Sequence, residues 1–251
     1  MKTIGLIGGM SWESTIPYYR IINETVKERL GGLHSAKVIL FSVDFAEIEH
    51  LQQQGDWDEA GRELALAAGA LERAGADFLV LCTNTMHRIA AAIEAAVTIP
   101  LLHIADCVAA SVSAAGYRSV GLLGTRFTME QPFYQQRLHS HFGLQVLVPG
   151  DNDRTLVHRI IYDELCLGKV RSESRTQFRR VMEDLASRGA EAIVLGCTEI
   201  SMLVGPEDAR VPLFDTTRMH ALAAVDMALR PPDGSISISL QAPRQHSAPE
   251  L

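Results

Sequence analysis

An internal repeat constrains the fold of this chain more than any other feature of its sequence. The stretch GADFLVLCTNT from Gly75 aligns without gaps on GAEAIVLGCTE from Gly189, an offset of 114 residues. Two shorter pairs occur in the same order at offsets of 116 and 112 residues, IGLIGGM with VGLLGTR and IPLL with VPLF. Parallel strands that are similar only because they are apolar would not also share the polar residues that follow each strand. The repeat therefore indicates two equivalent halves.

Strand-like and helix-like stretches alternate along the repeat. The apolar runs are short, continuous and rich in Val, Ile and Leu, which is typical of strands buried on both faces of a parallel sheet. Eight such runs occur: TIGLIG, KVILFSV, DFLVLCT, IPLLHI, SVGLLGT, LQVLVPG, EAIVLGCT and VPLFDT. Amphipathic stretches, such as residues 17–30, 58–74 and 173–188, lie between them. We therefore predict an α/β fold of two similar parallel-sheet domains related by a pseudo-twofold axis.

The order of the runs predicts where the chain passes between the halves. The run from Ile99 should carry the chain into the second half, and the run from Val211 should carry it back. We expect a first domain of residues 1–98 plus 215–230, which includes the final helix, and a second domain of residues 99–214. Residues 231–251 are rich in Pro, Ser and Gln without a helical period, which predicts a flexible tail.

The net charge and the composition of the chain indicate which classes of binding partner are not expected. A formal net charge of −7 gives no electrostatic reason to expect nucleic acid or an anionic membrane. The N-terminal apolar run is too short for a signal peptide and no stretch is long enough to span a bilayer, so we expect a cytoplasmic location. The four cysteines are then reduced thiols, and without a C-x-x-C pair a structural zinc site is not expected.

The repeat places Thr83 where the second half has Cys197. Both residues follow a strand, and ligands of parallel α/β sheets bind beyond the carboxyl ends of the strands. If the halves face each other, the two residues lie on opposite walls of one cleft. Cys82 comes one position early, and because successive side chains of a strand point to opposite faces, we expect it to be a small buried hydrophobe.

Cys197 is the best candidate for a nucleophile or base. We expect a helix to start near Thr198, and a helix N-terminus lowers the pKa of a thiol. Cys107 and Cys166 occur in helix-like stretches among apolar residues, and we expect both in the core. No histidine is assigned a catalytic role, although His87 is placed where it could orient nearby groups.

The loops after the strands are dense in small hydroxyls, amides and glycines, which suit a small carboxylate. The turn GLIGGMS lacks the G-x-G-x-x-G spacing of a dinucleotide site and the Gly-Lys-Ser/Thr ending of a P-loop, so neither cofactor class is expected. Gln52 lies in LQQQGDW, where composition alone favours a solvated surface position.

Three motifs, GLIGGMSWEST, LCTNTMH and LGCTEI, resemble in order and spacing those of the aspartate/glutamate racemase family. The resemblance covers residues 1–229, and the ending LGCTEI is closer to the aspartate and broad-specificity branch than to the glutamate racemases of cell-wall synthesis. It implies two flavodoxin-like domains around the substrate, commonly in a homodimer, and catalysis without a cofactor. In that family two cysteines on opposite faces of Cα remove and return its proton.

This chain departs from the family pattern, because Thr83-Asn84-Thr85 stands where Cys-Asn-Thr is usual. A hydroxyl is much less acidic than a thiol, whose reference pKa is about 8.5, so Cys197 is the better base. The resemblance therefore implies a one-sided racemase that favours L-aspartate or L-glutamate, with Cys197 and Thr83 as the catalytic pair.

The resemblance also implies contacts with the substrate. The residues expected to contact it are Met10, Gln52, Asn84, Thr85, Thr125, Thr198 and Glu199. Glu199 is a candidate for contact with the ammonium group or for orienting Cys197. A cation for an acidic substrate would come from Arg126 or Lys169, between which the sequence does not choose.

Two other functions remain open on the sequence alone. A single thiol on the same scaffold is compatible with a decarboxylase or an isomerase of small acids. Loss of one cysteine is also compatible with a protein that binds a dicarboxylic amino acid and has no catalytic activity.

Overall fold

A computed structural model of the chain describes residues 1–231 as eight strands and ten α-helices. The strands are β1 (Ile4–Gly8), β2 (Val38–Ser42), β3 (Phe78–Leu81), β4 (Leu101–Leu102), β5 (Ser119–Gly124), β6 (Gln145–Leu147), β7 (Ala192–Gly196) and β8 (Leu213–Asp215). The helices are α1 (Trp12–Leu30), α2 (Phe45–Gln54), α3 (Trp57–Arg73), α4 (Ala90–Ala96), α5 (Ile104–Ala114), α6 (Arg126–Glu130), α7 (Pro132–Phe142), α8 (Asp151–Asp163), α9 (Ser172–Ser187) and α10 (Thr216–Leu229). Apart from residue 231, the predicted tail lies outside the described residues.

Two four-stranded parallel sheets form the framework, in the orders β2-β1-β3-β4 and β6-β5-β7-β8. Their registers repeat as the alignment predicts: Ile4 pairs with Phe78 in the first sheet, and Val120 pairs with Ala192 in the second. The prediction of an α/β fold with two similar parallel sheets is confirmed. None of the helices in residues 1–231 is long and apolar enough to cross a membrane.

Alternation of side chains along the central strands builds a helix layer on each face of a sheet. On β3, Phe78 and Val80 pack with α1 and α10, whereas Leu79 and Leu81 pack with α3 and α4. Cys82 continues the first of these faces and is fully buried in that layer. The prediction that Cys82 is a small buried hydrophobe is therefore confirmed.

The two halves exchange a helix. Helix α5 follows β4 of the first sheet, but its Ile104 and Val108 pack on the second sheet. Helix α10 follows β8 of the second sheet, and its Ala221 and Val225 pack on the first. Because α5 and α10 also contact each other, the exchange holds the two halves together.

One predicted boundary differs from the strand pairing. The predicted second domain begins at residue 99, yet β4 (Leu101–Leu102) pairs with β3 in the first sheet. The chain therefore changes halves after β4, at the start of α5. The other domain limits stay a prediction.

Strand β2 is less buried than the sequence predicts. It pairs with β1 along one edge, and its Leu40 and Phe41 are 46% and 40% exposed. Its continuous apolar run had indicated burial on both faces. A strand at the edge of a sheet exposes more of its side chains than a central one, which explains the difference.

Candidate active site

The carboxyl ends of strands from both sheets open into one cleft. The cleft contains about 340 Å³ of space between atoms, a volume that includes open solvent. Its lining residues are Met10, Phe45, Gln52, Thr83, Asn84, Thr85, Thr125, Ile161, Tyr162, Cys166, Gly196, Cys197, Thr198 and Glu199. All nine residues that the sequence predicts for the site are among them, although this does not test their individual roles.

The carboxylate of Glu199 connects the two halves. Its Oε2 accepts hydrogen bonds from Cys197 Sγ at 2.9 Å and from Thr198 Oγ1 at 2.8 Å. Its Oε1 accepts from the Ser11 hydroxyl at 2.8 Å and from the Ser11 backbone N–H at 3.3 Å. Glu199 is only 2% exposed, so these donors replace the water that a buried carboxylate would otherwise need.

The thiol of Cys197 is protonated in this arrangement. Burial raises the pKa of the Cys197 thiol well above its usual range, and the charge of Glu199 raises it further. The expectation of a thiol acidified by a helix N-terminus is wrong, because only a short 3₁₀ turn, Ile200–Met202, follows. The Cys197 thiol instead donates a hydrogen bond to Glu199 Oε2.

Cys166 packs against the core of the second half and also lines the cleft. It is half-buried, and its Sγ lies 3.8 Å from Glu199 Oε1. The expectation of a core position therefore omits its contact with the cleft, whereas Cys107 is buried in α5 as predicted. Cys166 lies in a 3₁₀ turn, Leu165–Leu167, that follows the end of α8.

The backbone of Thr83 is held by His87. Nδ1 of His87 lies 2.7 Å from the Thr83 carbonyl oxygen, and its Nε2 accepts a hydrogen bond from the Ile104 backbone N–H at 3.2 Å. The imidazole is therefore neutral and donates its Nδ1–H to Thr83. Since Ile104 begins α5, His87 connects Thr83 to a helix that the halves exchange.

His87 is one of three buried histidines next to the cleft. Its ring centroid lies 4.4 Å from that of His103 and 5.9 Å from that of His220. Nε2 of His220 donates to the Leu102 carbonyl oxygen at 2.8 Å, and its Nδ1 accepts from the Tyr18 hydroxyl at 2.9 Å. Burial lowers the pKa of all three histidines, to about 3 for His103 and about 4 for His220, so the cluster is uncharged at neutral pH.

Asn84 offers an unused acceptor. Its Nδ2 donates to Thr216 Oγ1 at 2.9 Å, whereas its Oδ1 is buried without a hydrogen-bond partner among residues 1–231. The hydroxyl oxygens of Thr85 and Thr125, which come from different halves, lie 3.0 Å apart. A buried acceptor without a partner favours a ligand that donates, such as an ammonium group, and the hydroxyls can donate to a carboxylate.

Gln52 and Tyr162 form a second polar contact between the halves. The Tyr162 hydroxyl donates to Gln52 Oε1 at 2.9 Å, and Gln52 Nε2 lies 3.0 Å from Met86 Sδ. Phe45 stacks on the Tyr162 ring, with the centroids 6.5 Å apart. Gln52 is 4% exposed, so the interpretation of a solvated surface residue is wrong.

Five of the lining residues were not predicted for the site from the sequence: Phe45, Ile161, Tyr162, Cys166 and Gly196. Ile161 and Tyr162 end α8, and Cys166 lies just beyond it. No recognisable motif marks this segment. Its one signal is an aromatic and a thiol at the end of an apolar helical pattern, which core packing explains equally well.

Neither cation that the sequence offered lines the cleft. Arg126 pairs with Glu130 at 2.9 Å and with Asp151 at 3.1 Å, and Lys169 is an exposed residue outside the cleft. In the described part of the chain, the lining contains no Lys, Arg or His. Among residues 1–231, the lining therefore has one carboxylate, that of Glu199, and no basic side chain.

The chain is similar over nearly its whole length to proteins of one family. A profile of the Asp/Glu/Hydantoin racemase family matches residues 7–224. A candidate Asp/Glu racemase from Yersinia pestis has 58% identity and a TM-score of 0.86, with 92% of this chain and 100% of that chain covered. An aspartate racemase homologue from Pyrococcus horikoshii OT3 has 34% identity and a TM-score of 0.78, with 91% and 99% covered. The broad-specificity amino-acid racemase RacX of Bacillus subtilis is 23% identical over 231 residues, 90% of this chain and 98% of that protein.

We expect the buried histidines to make the folded protein sensitive to acid. Their pKa values are lowered in the folded state, so the unfolded chain binds more protons below about pH 6.5, and stability falls as the pH drops from there towards the folded pKa values. Between pH 7 and pH 5, the free energy of unfolding should fall by about 2 kcal/mol for His103 and by about the same amount for His220, with a further loss in the same direction from His87. Urea unfolding at the two pH values measures this loss.

A pair of matched variants isolates the contribution of the cluster. His103→Gln should reduce the loss of stability between pH 7 and pH 5 by about 2 kcal/mol, because one buried titrating group is removed. His50→Gln, at an exposed position, should leave the loss unchanged. The same pH dependence in both variants and the parent would contradict the assignment.

Proposed function

The chain belongs to the Asp/Glu/hydantoin racemase family and is an amino-acid racemase, and we propose that its substrate is aspartate or glutamate and that it needs no cofactor. The observation that carries this proposal is that Thr83 and Cys197, at equivalent positions of the two halves, line the same cleft. Racemisation needs a base on one face of Cα and an acid on the other, which such a pair supplies.

Cys197 provides the base on one face. Its thiol passes a proton to Glu199, 2.9 Å away, and the resulting thiolate takes the proton of Cα. The electron pair of the broken C–H bond stays on Cα, next to the substrate carboxylate. The substrate ammonium offsets the negative charge, which the proton transfer moves from Glu199 to the Cys197 thiolate, and it donates to the unpaired Oδ1 of Asn84. The hydroxyls of Thr85 and Thr125 donate to the substrate carboxylate.

Thr83 completes the inversion from the other face. Its hydroxyl, or a water that it holds, donates a proton to Cα and recovers one from solvent. Because the two enantiomers have equal free energy, net racemisation has the same kcat/KM in both directions. The difference between the thiol and the hydroxyl therefore affects exchange of the α-hydrogen with solvent. The enantiomer whose α-hydrogen faces Cys197 exchanges this hydrogen faster than it is converted into the other enantiomer. That this enantiomer is L rests on the family resemblance.

Exchange of the α-hydrogen in D2O tests the assignment of Cys197. We expect L-aspartate or L-glutamate to lose its α-proton signal in NMR faster than the D form appears by chiral chromatography. Cys197→Ser should lower this exchange at least about 100-fold, because a hydroxyl replaces the thiolate base. Cys107→Ala, which removes a buried thiol outside the cleft, should not lower it.

The alternatives give other results in the same experiment. A non-catalytic binding protein would be stabilised by the amino acid against heat without any exchange, and Cys197→Ser would keep that stabilisation. A decarboxylase would leave the α-hydrogens in place and release CO2 from a substituted malonate. Either pattern would contradict racemisation.

Restoring a thiol at position 83 tests the role of Thr83. Thr83→Cys should bring exchange and inversion of the L enantiomer to similar rates and should raise exchange of the D enantiomer, because both faces then carry a thiol. The same result in a Thr83→Cys, Cys82→Ala double variant assigns the gain to the new thiol. No gain with the D enantiomer would count against the two-sided arrangement.

The homodimer that the family resemblance implies has a suitable surface on α1. Trp12, Ile16 and Tyr19 lie on one face of this helix and are 61%, 48% and 57% exposed. Glu13 and Arg20 line the groove beside them, and Glu13 Oε2 is buried without a partner among the described residues. An antiparallel contact of two copies about a twofold axis brings each Glu13 to the other copy's Arg20. We therefore propose α1 as the dimer contact.

Sedimentation velocity tests this contact. Ile16→Asp should raise the dimer dissociation constant at least about 100-fold, because two carboxylates meet near the axis. Leu66→Asp, at an exposed leucine of α3, should have no such effect. Glu13→Arg and Arg20→Glu should each weaken the dimer and together restore it; a monomeric parent protein would contradict the proposal.

A cytoplasmic location and the lack of nucleic-acid or membrane partners stay predictions.

A further inference from the structure

We propose that His87 is a positioning residue for the return of the proton on the Thr83 side of the cleft. Its imidazole fixes the backbone of Thr83 and, through helix α5, the distance of Thr83 from the wall that carries Cys197. This inference rests on the proposed racemisation and adds to it a residue that acts through another. His87 is 3% exposed and is not among the residues that line the cleft.

The direction of the Thr83 hydroxyl depends on the Thr83 backbone. Threonine is branched at Cβ and stiff at its one side-chain torsion, so a shift of the backbone moves the hydroxyl with it. The Cys82 N–H still donates to the Ile7 carbonyl oxygen of β1, at 2.9 Å. The Thr83 N–H instead turns back to the Leu81 carbonyl oxygen, at 2.8 Å, in a three-residue turn. The backbone of Thr83 has therefore left the sheet and needs a partner elsewhere.

His87 supplies that partner from four residues further along the chain. Its Nδ1 donates to the Thr83 carbonyl oxygen at 2.7 Å. Its Nε2 accepts from the Ile104 backbone N–H at 3.2 Å, which selects the tautomer that can donate to Thr83. Because both ring nitrogens are bonded, the imidazole is a rigid spacer between two backbone segments.

The far end of this spacer belongs to the second half of the molecule. Ile104 is the first residue of α5, and its side chain packs in the core of the second sheet. Asn84 makes a parallel connection, because its Nδ2 donates to Thr216 Oγ1 at 2.9 Å and that hydroxyl donates to the Leu195 carbonyl oxygen at 2.8 Å. Two connections, each through the first residue of an exchanged helix, thus join the Thr83 loop to the second half.

The second half holds its own wall in a different way. At the same offset of 114 residues, the position equivalent to His87 is Ser201. The carbonyl oxygen of Cys197 accepts from the backbone N–H of Ile200 at 3.2 Å. The Cys197 wall is thus held by its backbone turn, whereas the Thr83 wall is held by an imidazole. A change at His87 should therefore displace one wall and not the other.

The two walls contribute differently to the two reactions that can be measured. Exchange of the α-hydrogen needs Cys197 alone, since the thiol can return a solvent proton to the face from which it took one. Inversion also needs Thr83 at the right distance on the other face. A displacement of about 1 Å between reacting groups slows a step by about 100-fold. A shift of Thr83 should therefore slow inversion and leave exchange in place.

The ratio of inversion to exchange tests the role of His87. With L-glutamate or L-aspartate and the complete protein in D2O, NMR follows loss of the α-proton and chiral chromatography follows the D form. His87→Gln should lower this ratio at least about tenfold, because its amide can still accept from Ile104 but no longer donates to Thr83. The ratio does not depend on how much of the variant is folded, so partial unfolding does not change it.

His87→Asn is the matched variant. Its Nδ2 takes about the place of the imidazole Nδ1 and can donate to Thr83, so the ratio should stay within about threefold of that of the parent. His103→Gln removes the neighbouring imidazole, whose centroid lies 4.4 Å away, and should leave the ratio unchanged. If both rates fall together in His87→Gln, or if His87→Asn lowers the ratio equally, His87 does not position Thr83.

Two further measurements leave His87 in place, in case its variants do not fold. Ile104→Pro removes the N–H that donates to His87 Nε2, at the first position of a helix, where proline is tolerated. This variant should also lower the ratio, and an unchanged ratio would overturn the role of α5. In the parent protein, ¹⁵N NMR should show a neutral His87 with its proton on Nδ1; a proton on Nε2 would overturn the inference without any substitution.

The outcomes separate this inference from the proposed function. If the parent protein neither exchanges nor inverts L-glutamate or L-aspartate, the proposed function itself is overturned. If the parent does both and the ratio does not respond to His87→Gln, this inference alone is overturned. A fall of the ratio in His87→Gln that His87→Asn avoids supports both.

Discussion

Parallel pairing in both sheets is the constraint on which the rest of the structure depends. In a parallel sheet all strands end at one edge, and the equivalent registers of the two halves align these ends in the same way. The exchange of α5 and α10 then brings the two edges to one cleft. Thr83 and Cys197 thereby line the same cleft, although 114 residues separate them along the chain.

The buried carboxylate of Glu199 contacts residues of both halves and also the Cys197 thiol. Glu199 is almost without solvent contact, so its charge is stabilised by hydroxyl, thiol and backbone donors from both halves. Burial keeps the Cys197 thiol protonated, and the charge of Glu199 adds to this effect. An ammonium group in the cleft would offset that charge and so favour formation of the thiolate.

Polar contacts between the halves also determine what the cleft can bind. Gln52 and Tyr162 meet from different halves, and His87 connects Thr83 to the exchanged helix α5. These contacts use neutral groups. Arg126 forms ion pairs with Glu130 and Asp151 outside the lining, and Arg88 lies over the ring of Trp57.

Periodicity and the repeat were enough to predict the eight strands, the parallel sheets and the equivalence of Thr83 and Cys197, because these features depend on patterns local to the chain. The family resemblance added seven further residues of the cleft, but not Phe45, Ile161, Tyr162 and Cys166. Three features depended on the tertiary structure: the high pKa of Cys197, the place of Cys166 and Tyr162 in the cleft, and the lack of a basic lining residue among residues 1–231. Each reflects burial or a contact between segments far apart in sequence, such as the Gln52–Tyr162 contact across 110 residues. A pattern in the sequence indicates which residues share a strand or a helix face. The packing of the two halves determines how far those residues are exposed to solvent and which residues they contact.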